Sequence, residues 1–193
     1  MIAAALELVG ERGPNAVTLG DVGQRVGTSH AAVLYHFRSR RDLLLAVLVE
    51  HDRSARSLLD RCFSEGGLEA VRRLADLGHG LRREPNFTKL AHVLQAESLE
   101  DDPDDRVGRY FRARYQYIRG SLARVIRTGQ ERGEIRRGFD VDARAAEITA
   151  FMSGIAHQHF VDPDGVDVVA VYADFVRSLV ADIAVDVKAV DPV

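Results

Sequence analysis

The chain has 193 residues, 46% of them hydrophobic and 28% charged, with a formal net charge of −3. That is ample apolar material for one or two modest cores, and too little positive charge for the whole surface to bind nucleic acid or an acidic membrane. The single cysteine, Cys62, excludes an internal disulfide and is expected to pack as a small hydrophobe; no apolar run approaches the ~20 residues of a membrane span and no stretch has the form of a secretory leader, so a cytoplasmic protein is expected.

Breakers cut the chain into helix-sized pieces. Ile2, Ala5, Leu6 and Val9 form a 3.6-period stripe that stops at Gly13-Pro14, a glycine suited to a C-cap followed by a residue that cannot continue a helix. Thr18 can cap a second helix, with Asp21 three residues on and Val22 and Val26 as its apolar face, and Gly27-Thr28 ends it. Ser29 is a cap for a third helix that runs to about Phe37, and a fourth starts near Arg40 and carries Leu43, Leu44, Val47, Leu48, Leu58, Leu59 and Cys62. Gly66-Gly67 closes that segment, Pro85 separates two further helices, and Asp101-Asp102-Pro103-Asp104-Asp105 reads as a solvated turn without the ligand spacing of a calcium loop. A long helix follows to about Arg132, with Val107, Tyr110, Phe111, Ile118, Leu122 and Val125 at helical spacing. The last two pieces run from about Asp142 to His159 and from Asp167 to about Val187. No run alternates with period two for long enough to make a strand, so the chain reads as all-α with about nine helices.

The third helix has an unusual outer face. Val33 and Phe37 fall about 40° apart on a helical wheel and form its inward side, which turns Ala31, Ala32 and Tyr35 outward. Such a face either packs against a neighbouring helix or enters a DNA groove, where small residues allow close approach, methyls meet thymine methyls and a phenol reaches a phosphate or base edge. Two short helices joined by a glycine-containing turn have the form of a helix-turn-helix. Residues Thr18 to Arg41 carry a net charge of +3, from Arg25, Arg38, Arg40 and Arg41 against Asp21, so positive charge collects around the proposed reading helix.

The segments "AALELVGERG", "VTLGDVGQRVGTS" and "VLYHFRSRRDLL", in that order and spacing over about the first 45 residues, resemble the N-terminal domain of the tetracycline-repressor (TetR) family of bacterial transcriptional regulators. The resemblance implies a three-helix DNA-binding domain over 1–45 and an effector-binding and dimerisation domain over 46–193. It implies that Thr18 caps the second helix and touches the DNA backbone, and that Ser29, His30, Ala31 and Ala32 form the turn that meets base edges. Tyr35 and His36 match the aromatic and histidine near the end of the reading helix, and Arg40 matches a basic residue that grips a phosphate. The sequence departs from the family at Leu34, where many members carry a phosphate-contacting tyrosine, and at Gly20, where a longer polar side chain often reaches DNA. No basic tail precedes the first helix, so a minor-groove arm is not expected.

A single helix-turn-helix reads too few bases, so a two-fold dimer is expected, with its reading helices about one DNA turn apart. The band Tyr172, Phe175, Val176, Leu179, Val180 and Ile183, with Met152 and Ile155 of the preceding helix, is wider than one core-facing stripe requires and is expected to form a four-helix bundle with a second copy. Phe63, Leu77, Phe87, Leu90, Leu94, Phe111, Tyr115 and Ile118 are either plain core or the walls of an effector pocket, and Arg114 among them either snorkels outward or meets an anionic group. His157 and His159, two apart on a helix, point in different directions, so no metal site or cofactor is expected. The sequence contains no phosphate loop, H-E-x-x-H or G-x-S-x-G, and no catalytic site is expected. The reading is a repressor released from its operator by a small molecule. An effector-independent helix-turn-helix dimer is the alternative, and an all-α enzyme is less favoured.

Overall fold

The computed structural model describes residues 1–98 and 105–185, and describes backbone only at 54, 55, 57–59, 61 and 62. The packing of Leu58, Leu59 and Cys62 and nearly all of the acidic turn therefore lie outside the described residues.

The fold is all-α, with α1 (Ile2–Arg12), α2 (Leu19–Arg25), α3 (His30–His36), α4 (Arg40–Phe63), α5 (Gly67–Arg72), α6 (Leu77–Arg83), α7 (Pro85–Glu97), α8 (Arg106–Glu131), α9 (Val141–Val161) and α10 (Val168–Ile183). The stretch between Gly66 and Glu84, expected as one helix, holds α5 and α6 separated by a 3-10 turn at Arg73–Asp76. The chain divides into two compact units, one made of Met1–Leu58 with Arg83–Ala113 and the other of Leu59–Arg82 with Arg114–Val193.

In the first unit α1 stops as its sequence dictates. Gly13 takes φ 78° while its N–H still bonds the Val9 carbonyl at 2.9 Å, and Pro14 opens a 3-10 turn, Pro14–Ala16. The buried face of α1 is Ala4, Ala5, Leu8 and Val9, one step round from the expected stripe, because α2, α7 and the 3-10 turn all pack on it. Thr18 and Asp21 form a complete capping box at the start of α2. Val26, expected on the apolar face of α2, lies one residue past the helix end and is 38% exposed. Leu19, Val22 and Gly23 are buried instead; a Cβ at Gly23 would sit 3.0 Å from the Thr28 carbonyl and 3.4 Å from Val33, so glycine there permits α3 to close on α2. Leu43, Leu44, Val47 and Leu48 of α4, Leu90 and Leu94 of α7, and Val107 and Phe111 at the start of α8 complete the core. Each of these side chains contributes about 1.5–3 kcal/mol by leaving water.

The second unit centres on Ala70, Val71 and Leu74, Leu122, Val125 and Ile126 of α8, Ala145 and Ile148 of α9, and Val176, Leu179 and Ile183 of α10. Its last helix is fastened at the end. Arg136 N–H donates to the Ile183 carbonyl and Val185 N–H to the Glu134 carbonyl, flanking an isolated antiparallel bridge between Ile135 and Ala184. The guanidinium groups of Arg136 and Arg144 meet the two carboxylate oxygens of Asp182 at 2.7 and 2.9 Å, and both lie over the Phe139 ring.

Candidate nucleic-acid interface

The helix-turn-helix is assembled from local caps and a few longer ties. The Thr18 hydroxyl accepts the Asp21 N–H at 3.2 Å and donates to the Asp21 carboxylate. That hydroxyl contact, with the Thr18 backbone N–H, holds the Asp21 carboxyl below its ordinary range. Ser29 caps α3 by accepting the Ala32 N–H at 3.1 Å. Arg25 reaches back from α2 to Glu7 and Glu11 of α1, at 3.1 and 2.9 Å.

Within α3 only Val33 is buried. Phe37, expected on the same inward face, is half-buried just past the helix end. His30, Ala31, Leu34, Tyr35 and His36 are exposed and Ala32 is half-exposed. Tyr35 stands 86% exposed, with its ring edge-on to His36 at 5.4 Å. Of the two readings that the sequence left open for this tyrosine, packing against a neighbouring helix is excluded within the protomer. Leu34 is 39% exposed and presents an apolar surface.

The arginines are deployed differently from what their charge alone indicates. Arg40 is partly buried, and its Nε and Nη2 donate to the carbonyls of Val17 and Pro14, so its guanidinium braces the connection between α1 and α2. Arg41 is held by Glu97 and Asp105, at 3.5 and 2.9 Å, while Arg106 meets the carboxylate of Asp42 at 3.1 Å. Arg38, exposed in the turn after α3, makes no ion pair among the described residues. Much of the local +3 is thus met by acids from α1, α7 and the start of α8, partners that a window of the sequence does not contain.

The proposed pocket and dimer residues are placed as follows. Leu90, Leu94 and Phe111 are core of the first unit. Phe87, in the same unit, is stacked under His51 with ring centroids 4.2 Å apart. Phe63, Leu77 and Ile118 pack half-buried on the core of the second unit, where Arg114 is also half-buried and the Tyr115 hydroxyl lies 3.4 Å from Ser153 Oγ. Ile155, Tyr172, Val176, Leu179 and Ile183 are buried inside the second unit, because α10 turns that side of its apolar band onto α5, α9 and the 3-10 turn. Met152, Phe175 and Val180 stay half-exposed, and Phe151, absent from the expected face, stacks on Phe175 at 3.6 Å.

A polar cluster in the first unit has no short-range sequence signal. Tyr110 donates its hydroxyl to the buried carboxylate of Asp52, and His51 Nε2 lies 2.8 Å from Glu84. Burial pulls the His51 imidazole down, but the bond to Glu84 and the negative charges of Glu84 and of Asp52, 3.8 Å from Nδ1, outweigh it and raise its pKa above the ordinary histidine value.

A capped helix-turn-helix whose second helix is open to solvent, on an all-helical protein, defines a DNA-binding regulator. Family models match the chain over residues 1–47, described as bacterial regulatory proteins of the tetR family, and over residues 100–184, described as the C-terminal part of BetI-type transcriptional repressors. The HTH-type transcriptional regulator TtgR of Pseudomonas putida is 26% identical over 187 residues, covering 86% of this chain and 81% of that protein. A transcriptional regulator from Saccharomonospora viridis, solved in complex with choline, superposes with a TM-score of 0.76 at 24% identity, covering 96% of each chain. SmeT, the repressor of the Stenotrophomonas maltophilia multidrug efflux pump SmeDEF, does so with 0.72 at 19% identity, covering 100% of this chain and 92% of its own. The chain belongs to the TetR family of bacterial transcriptional regulators. No described helix is long and apolar enough to cross a membrane.

Proposed function

We propose that this regulator is a homodimeric repressor, acting in the cytoplasm, that binds a two-fold operator through α3 and leaves it when a small molecule binds. The observation that carries the reading is Tyr35, fully presented to solvent on a helix whose other side is anchored by Val33. Thr18, Ser29, His30, Ala31, Ala32 and His36 surround it as backbone and base contacts, and Arg38 joins them as an uncommitted cation. Arg40 supports this surface by holding the α1–α2 connection and turns its remaining N–H groups to phosphate.

The dimer forms through α9 and α10, with Met152, Phe151, Phe175 and Val180 as the apolar patch that a second copy covers. The effector site draws on Phe63, Leu77, Arg114, Tyr115 and Ile118 of the second unit. The relative from Saccharomonospora viridis holds choline and SmeT has been solved with triclosan, so small organic molecules are the class to screen. An effector that favours one setting of α4 over another changes the spacing of the two reading helices, and an operator of fixed period is then released. No catalytic role is proposed.

The test is retardation of the DNA upstream of the protein's own gene at moderate salt. Sequence-preferring binding that a stabilising compound abolishes is expected, and binding no better than to random duplex overturns the reading. If no compound in a thermal-shift screen raises the melting temperature, the effector-independent dimer stands in its place.

A further inference from the structure

The exposed side of α3 is chemically narrow. With Ala31 at the origin of a helical wheel, Leu34 falls about 60° to one side and Tyr35 about 40° to the other, while the buried Val33 lies nearly opposite. This arc carries a methyl, an isobutyl group and a phenol. α3 contains no arginine, lysine, asparagine or glutamine, the side chains that make bidentate hydrogen bonds to guanine or adenine. The Ser29 hydroxyl accepts the Ala32 N–H, which leaves it one single-point O–H donor and no bidentate pairing. Among the described residues the large exposed hydrophobics are Val26, Leu34, Tyr35, Val49, Val161 and Val185, and three of these six fall between positions 26 and 35. An apolar patch on the helix that meets DNA matches one base-edge group in the major groove, the 5-methyl of thymine.

We propose that α3 selects its operator chiefly by thymine methyl contacts, with Ala31 and Leu34 packed on methyl groups and Tyr35 flanking them, and that hydrogen-bonded readout of purines is secondary. The proposal rests on the DNA-binding reading above and deepens it. Leu34, exposed beside Ala31 on this face, becomes a specificity residue. The half-site positions facing α3 are then thymines, and phosphate contacts fall to neighbours such as the exposed Arg38.

The test uses the full chain to select duplexes from a random library, followed by replacement of each thymidine in the selected site by deoxyuridine, which removes only the 5-methyl. Each methyl facing α3 should cost about fourfold in affinity, the ratio for withdrawing one CH2-sized group from water. Leu34→Ala should keep the wild-type melting temperature and lose the sensitivity at one of those positions. Binding unchanged by deoxyuridine at every position, or weakened only when 7-deazapurines remove purine acceptors, overturns methyl readout while the regulator reading stands. Failure of the selection to enrich any duplex overturns both.

Discussion

Arg40 and Tyr35, five residues apart, divide the labour of the proposed interface. Arg40 satisfies two partly buried carbonyls, so Arg40→Ala is expected to destabilise the protein by about 2 kcal/mol in denaturant titration, with Arg40→Lys recovering only part because an ammonium cannot span both acceptors in one plane. Tyr35→Ala should leave that titration unchanged and weaken operator binding several-fold, since the ring is exposed and supports nothing beneath it. The sequence made Tyr35 legible because helical periodicity alone turns it opposite Val33. It made the Thr18 and Asp21 capping box legible because both members lie within one turn. The commitments of Arg40, Arg25 and Arg41 were hidden, since their partners are 14 to 64 residues away and charge counting treats every arginine as free.

At the scale of elements, α4 carries a titratable contact. The raised pKa of His51 means that the folded protein holds this proton more tightly than the unfolded chain does. The stabilisation from the pairing with Glu84 and Asp52 is therefore fully present below pH 6.5 and is lost as pH rises through the higher folded value. The melting temperature of the wild type should exceed that of His51→Gln most at about pH 5.5, and the gap should narrow by about pH 8.5. Helix boundaries around this cluster were readable from Pro85 and Gly66. The cluster itself was not, because His51 between Glu50 and Asp52 reads as part of a solvated charged turn of helix, with no mark of Phe87, Glu84 and Tyr110, which come from 33 to 59 residues away. The same difficulty holds for α10, whose continuous apolar band does not say which side meets its own core: Tyr172, Val176, Leu179 and Ile183 are buried within the single chain.

For the whole molecule, the proposed partner surface follows from what α9 and α10 leave half-exposed. Phe175→Glu places a charge on the Phe151 and Met152 patch, at a half-exposed side chain on the edge of the core. It should give a protein of unchanged helix content that sediments as a monomer and binds operator roughly a hundredfold or more weaker, the avidity lost when one reading helix acts alone. The all-α class and the helix-turn-helix were readable from the chain because caps and periodicity are local. The partition into units was not, because it depends on α7 returning to pack on α1, where Asn86 bonds the Gly10 carbonyl.

That return sets an order of events during synthesis. The first unit is discontinuous, and its second piece ends at Ala113. When the helix-turn-helix has left the ribosome, the α1 face that takes α7 is still waiting for a segment about thirty residues further along, and the nascent reading helix stands on an unfinished base. A fragment cut after residue 58 is therefore expected to leave uncovered the α1 face on which α7 packs, and to melt below the full chain.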